Sequence, residues 1–268
     1  MRSRSGDVVV RQPRQGVAEG STDGTQAVRR ASAILRRIGR GGTQGASLAD
    51  VTQALQLPRS TTHRIMKCLV DEGLVKHDTD RRRYFIGQLT YELGLTYNES
   101  ALDLAKWRVA VDRVAQKTGV TAYLLSRSGI EAVCVLKTEG NSVIRVIPVE
   151  VGQRRFLGVG AGATALLAAL DPESRAQVIA TIAPFLTAYS TLTEDKVREL
   201  VDQTLSAGYS VSRGNIAKDV IGIGMAVPEA PYLALSIAGL ANQIEEKGLA
   251  HWVQILRQEI NAVRSKDI

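Results

Sequence analysis

The chain has 268 residues, enough for two modest domains, with 44% hydrophobic and 23% charged residues; this is the composition of a folded globular protein and excludes a largely disordered chain. No run approaches the ~20 apolar residues a membrane span needs, and two cysteines, Cys68 and Cys134, in apolar or periodic runs exclude a disulfide framework and fit a reducing cytoplasm. The net charge of +7 is unevenly spread, with 16 Lys or Arg against 8 Asp or Glu in residues 1–85 and 18 against 19 in residues 86–268, so the first third either meets a polyanion or carries a solvated basic surface.

Residues 1–24 are rich in Gly, Ser, Arg and Gln and read as a flexible tail; no apolar stretch follows the first arginines, so they do not open a secretory signal. Thr25 is placed to cap a first helix. In it, Val28, Ala31, Ile34, Leu35 and Ile38 recur at three- and four-residue intervals, one stripe of a 3.6-residue period. Gly39, Gly41 and Gly42 end it. Ser47 caps a second, short helix, LADVTQAL, with Leu48, Val51 and Leu55 inward. Pro58 opens a third helix in which Ile65, Leu69 and either Met66 or Val70 face inward. Cys68 reads as a core residue. Gly73 ends this helix, and LVKH and RRYFIG follow as a hairpin turned through Asp78 to Arg81.

Helix, short helix, turn, helix, hairpin is the order of a winged helix-turn-helix, which defines a first domain over residues 25–87. The partner this order implies is double-stranded operator DNA. The major groove admits one helix, whose N-terminal side chains reach base edges. Arg59, Ser60, Thr61, Thr62, His63, Arg64 and Lys67 supply that polar start, with short hydroxyl side chains allowing close approach. Arg81, Arg82 and Arg83 lie in or beside the wing tip and reach toward the adjacent backbone or minor groove. Alternatives stand beside these roles: Arg64 braces the fold through a carboxylate, His63 is a solvated helix residue, and the arginine run is a solvated turn.

Residues 88–98 carry Leu89, Leu93 and Tyr97 at four-residue steps and read as a linker helix. Residues 99–268 form the second domain. A helical pattern over 100–118 stops at Gly119. VTAYLLSR and EAVCVLKT read as a hairpin, and SVIRVIPV as a further strand. AGATALLAAL and the runs near 173–187 and 194–207 read as helices. Strands follow from Gly208, in VIGIGMAVP and in YLALSIAGL, and Glu245 to Arg264 forms a closing helix. The class is α+β, a mixed antiparallel sheet with helices on it.

The sequence resembles the IclR family of bacterial transcriptional regulators from Val28 to about its end. The resemblance rests on Val28 to Leu35 (VRRASAIL), Leu57 to Leu69 (LPRSTTHRIMKCL), Glu72 to Val75 and Tyr84 to Gly87. Arg59 stands where the family commonly has lysine, and Ser60, His63 and Arg64 match as they stand. The resemblance implies a winged helix, a linker helix and a GAF-like effector-binding domain, in homodimers often paired into homotetramers on DNA. Such proteins act as repressors or activators of metabolic operons and respond to a small organic acid or aromatic metabolite. Gly162 to Ala168, Ala226 to Pro228 and Ser236 to Gly239 match the family's effector segments. The pocket carried over is Gly160, Ala161, Gly162, Gly224, Ser236 and Ala238. Gly158 and Ala238 stand where a histidine and a serine are common, which makes this pocket less polar. On the residues themselves, Ser236 and Ala238 share one strand face, and the glycines permit close approach to a ligand or, alternatively, tight sheet packing.

No nucleophile elbow, P-loop or zinc-protease motif occurs, and the three histidines lack metal-ligand spacing, so no catalytic residue, metal or cofactor is assigned. The remaining alternative is an effector-independent DNA-binding protein whose second domain serves only for oligomerisation.

Overall fold

The computed structural model describes residues 23–96, 104–142, 149–189 and 191–264. In the head, α1 (Asp23–Arg40), α2 (Leu48–Leu55) and α3 (Arg59–Asp71) converge on a core of Ile34, Ile38, Val51, Met66, Leu69 and Val75. The first helix starts two residues before the expected Thr25 cap, and Val28 is 67% exposed rather than core, because no other described element covers the first turns of α1. Ser47 caps α2 reciprocally: its hydroxyl accepts from the Asp50 N–H at 3.1 Å, and its own N–H donates to Asp50 Oδ2 at 2.9 Å. Such a box satisfies two donors that a helix start otherwise leaves open. The hairpin is β1 (Val75–Asp78) paired antiparallel with β2 (Arg83–Ile86), and Ala46 bridges to Tyr84.

After the hairpin, α4 (Gln88–Leu95) exposes Tyr91, Leu93 and Leu95; Tyr97, expected to extend this stripe, lies outside the described residues. The body then runs α5 (Leu104–Thr118), β3 (Thr121–Ser128), β4 (Glu131–Thr138), β5 (Arg154–Phe156), α6 (Ala161–Ala168), α7 (Pro172–Ile182), α8 (Glu194–Ala207), β6 (Ser210–Arg213), β7 (Val220–Val227), β8 (Ala230–Leu240), α9 (Ala241–Lys247) and α10 (Leu249–Arg264). The expected strand SVIRVIPV falls almost wholly outside the described residues.

Among the described residues the sheet order is β5-β4-β3-β8-β7-β6, and every neighbouring pair is antiparallel. Strand alternation sends successive side chains to opposite faces. Ala122, Leu124, Leu233, Leu235 and Ile237 pack under α5 and α10. Leu125, Ala132 and Ala234 lie under α6, α7 and α8. The sheet is therefore covered on both sides. The expected single closing helix from Glu245 is broken: Gly248 takes φ +75° and ψ 149°, a conformation outside the helical region, and separates α9 from α10. Among the described residues no helix is long and apolar enough to cross a membrane.

Candidate functional site

Two regions concentrate the polar and ligand-sized features. On α3, Arg59, Ser60, His63, Arg64 and Lys67 are exposed, and Thr61 is half-buried. Ser60, His63, Arg64 and Lys67 fall at helical steps of three, four and seven, so they form one stripe. Thr62 belongs to the opposite face. It is buried, and its hydroxyl donates to the Pro58 carbonyl at 3.2 Å, which corrects its expected outward position. Thr62, Met66 and Leu69 repeat every three or four residues, whereas Cys68 sits about 200° round the helix from Met66 and is exposed, not core.

In the wing, Arg81 and Arg82 are exposed, and Arg82 adopts φ +52° at the turn. The Arg81 N–H donates to Asp78 Oδ1 at 3.0 Å, which shapes that turn. Arg83 differs: its Nη1 lies 3.2 Å from Asp50 Oδ2 and ties the wing to the start of α2. The Ser47 backbone and hydroxyl bonds, then the Arg83 and Arg37 charges, hold the Asp50 carboxyl below its ordinary range. His77 and Tyr84 stack across the hairpin with ring centres 4.2 Å apart.

The second region is a cavity between the sheet and the start of α6. Its volume open to the centre of a water molecule is about 60 Å³, several times the ~10–15 Å³ one water requires. Gly160, Ala161, Gly162, Ser236 and Ala238 line it, as the sequence placed them together. Gly224 does not. A Cβ there would lie 2.7 Å from Gly162 N and from Ala161 C, so this glycine lets β7 pack on the α6 backbone rather than face a ligand. Strand alternation explains the other pair: Ser236 and Ala238 point opposite to Leu235 and Ile237, which are core.

Gly160, at φ +88°, leads into α6 without a side-chain cap. The first N–H groups of a helix have no intrahelical acceptor, and the residues of this first turn border the cavity. Thr164 fixes the approach, its hydroxyl lying 3.2 Å from the Gly158 carbonyl and 3.0 Å from that of Gly160. A Cβ on Gly162 would meet Leu125 Cδ1 at 2.4 Å and Ser236 Oγ at 3.0 Å, so glycine is what admits both side chains.

Sequence reading missed Arg155, Tyr123, Cys134 and Ser212 in the lining. Among the described residues Arg155 is the charged residue of the cavity wall; a Cβ on Gly160 would lie 3.8 Å from its Nη1, so the guanidinium sits beside the start of α6. Burial pulls its pKa below the usual arginine value, yet a guanidinium stays charged in a protein. Burial pushes the Cys134 thiol up to about 12 and the Tyr123 phenol higher still than its ordinary value. Both remain neutral, and neither is an activated nucleophile.

A winged helix-turn-helix head followed by a body that encloses a cavity defines a DNA-binding regulator with an effector domain. Family models for the IclR helix-turn-helix domain and for the bacterial transcriptional regulator IclR C-terminal region match residues 27–79 and 100–264. The chain belongs to the IclR family of bacterial transcriptional regulators, a family of DNA-binding proteins and not of enzymes. It is similar to the HTH-type transcriptional repressor AllR of Klebsiella pneumoniae, 27% identical over 93% of each chain. It is also similar to the glycerol operon regulatory protein of Streptomyces coelicolor, 25% identical over 82% of this chain and 85% of the other. Among solved structures, an IclR homolog from Microbacterium hydrocarbonoxydans complexed with 4-hydroxybenzoate shares the fold, with a TM-score of 0.65 and 22% identity over 89% of this chain and 98% of that one.

Proposed function

We propose that this regulator senses a small monocarboxylic acid with an apolar or aromatic body, read in the cavity of residues 99–268 and relayed through the linker 88–98 to a DNA-reading head of residues 25–87. The observation that carries this reading is the Arg155 guanidinium beside the uncapped start of α6, in a wall otherwise built from groups such as Leu125, Val149, Val159 and Ile216. A cation and the first N–H groups of a helix together suit one carboxylate, and the apolar wall suits the rest of the molecule. Ser236 and Tyr123 add hydroxyl groups for a polar substituent. The homolog solved with 4-hydroxybenzoate supports an acid of this size and kind.

On the DNA side, Arg59, Ser60, Thr61, His63, Arg64 and Lys67 face the major groove, while Arg81 and Arg82 meet backbone phosphates. The working unit is a homodimer, which places two recognition helices on a partly palindromic site. The exposed Tyr91, Leu93 and Leu95 of α4 support pairing between copies.

The test is calorimetric titration with 4-hydroxybenzoate and with its uncharged amide, on the wild type and on Arg155→Leu. The acid should bind the wild type at least about tenfold tighter than the amide, the equivalent of one charged hydrogen bond, and Arg155→Leu should lose that preference. Equal binding of acid and amide by the wild type overturns the reading.

A further inference from the structure

Head and body of one chain also meet at a charged cluster. Arg40 is the last residue of α1. Its Nε donates to Glu131 Oε1 at 2.8 Å, and its Nη2 contacts the same oxygen. Arg154 Nε donates to the other carboxylate oxygen at 3.0 Å, and Arg154 Nη2 donates to Ser128 Oγ at 2.7 Å. The Arg40 guanidinium also lies 5.4 Å from the centre of the Phe156 ring, which stacks on Phe185 at 4.9 Å. The Glu131 side chain is only 6% exposed.

A carboxylate this buried requires a cationic partner. Arg154 already provides one from the adjacent strand, since β4 and β5 pair with Val133 opposite Arg154. The body therefore satisfies Glu131 without the head, and the Arg40 pair is additional to the folding of the sheet. What it adds is a fixed place for the end of α1. The local strand geometry links this place to the cavity. Arg154 and Phe156 lie on one face of β5, beside Arg40; Arg155, between them, points the other way into the cavity wall. The strand is three residues long, and among the described residues β4 is the one strand paired with it.

We propose that Glu131 is the positioning residue of the DNA-reading head, clasping it to the body through Arg40, and that β5 carries occupancy of the cavity to this clasp. The second half rests on the cavity reading above; the first does not. A ligand anion drawing on Arg155 shifts the backbone that also sets Arg154 and Phe156, and the clasp loosens or tightens with it. Coupling between sites is commonly about 5–150-fold in affinity.

Two measurements separate the halves. The first uses no ligand: amide relaxation on the full-length deuterated chain compares the rotational correlation times of head and body. In the wild type they should coincide, and separate values there overturn the clasp. Arg40→Ala should lose that agreement, the head tumbling faster while the thermal unfolding of the body is unchanged. Arg40→Lys, which retains the charge, should stay close to the wild type. Coincident tumbling in Arg40→Ala overturns the clasp. The second follows binding to a duplex selected in vitro by the wild type, with and without 4-hydroxybenzoate. Arg40→Ala should bind the acid as the wild type does and lose most of the acid-induced change in DNA affinity, the linker 88–98 carrying what is left. A variant that keeps the whole change overturns transmission through β5. Failure of the acid to bind the wild type removes the cavity reading and with it the second half, while the tumbling comparison still decides the clasp.

Discussion

Arg81, Arg82 and Arg83 are consecutive and identical in type, yet their surroundings assign them different work. The first two extend from the wing tip, where the closest carboxylate is Asp78, 3.8 Å from Arg81 Nε across an exposed turn. A pair so exposed is worth little and is readily exchanged for a phosphate. Arg83 instead is held against Asp50. Replacing Arg81 and Arg82 with alanine should therefore flatten the salt dependence of DNA binding, by roughly 1 in slope for each phosphate that is no longer neutralised, on specific and random duplexes alike. Arg83→Ala should leave that slope near its wild-type value. Fluorescence anisotropy at several salt concentrations gives the slopes; equal flattening by all three substitutions would remove the distinction.

At the scale of elements, the capping box of α2 ties a local helix signal to the placement of the wing, because Asp50 serves both Ser47 and Arg83. Its depressed pKa means that the folded head binds a proton less readily than the unfolded chain. The stabilisation is present above the unfolded carboxylate value and is lost as pH falls through the still lower folded value. Acid should weaken the head in that window, and Asp50→Asn should be less stable at neutral pH but show a flatter acid limb, followed by circular dichroism melts from pH 6 to pH 2. A limb as steep in the variant would place the titrating group elsewhere. The same element shows why the head is legible in the sequence. Ser47, Pro58 and the 3.6-residue stripes are local signals, and local signals fix helix starts and faces. Thr62 misleads because a polar residue at the start of a helix reads as exposed until its phase with Met66 and Leu69 is followed. The cavity is legible through its glycines and Ser236. Arg155 is not, because a three-residue strand gives too short an alternation to show which of two adjacent arginines turns inward. Gly224 misleads because a glycine needed for close packing of β7 on α6 has the same sequence signature as one that faces a ligand.

At the scale of the whole molecule, the family match and the six antiparallel strands described place effector chemistry and DNA reading at opposite ends of a chain whose basic excess lies in the first third. The two cysteines divide along the same line: Cys68 lies exposed on α3 of the head, and Cys134 is buried in the body. The Cys134 thiol donates to the Leu136 carbonyl at 3.4 Å and is raised to about 12 by burial. Thiolate, not thiol, attacks an electrophilic reagent, so Ellman's reagent at pH 8 should find one fast thiol per native chain and two per chain in denaturant; two fast thiols in the native protein would mean that the cavity wall is open. The chain thus comes with a single natural attachment point for a fluorophore or spin label, on the helix proposed to read DNA. A label there would test duplex contact by quenching, count the chains on each duplex and, where two heads pair, measure their spacing, all without a substitution.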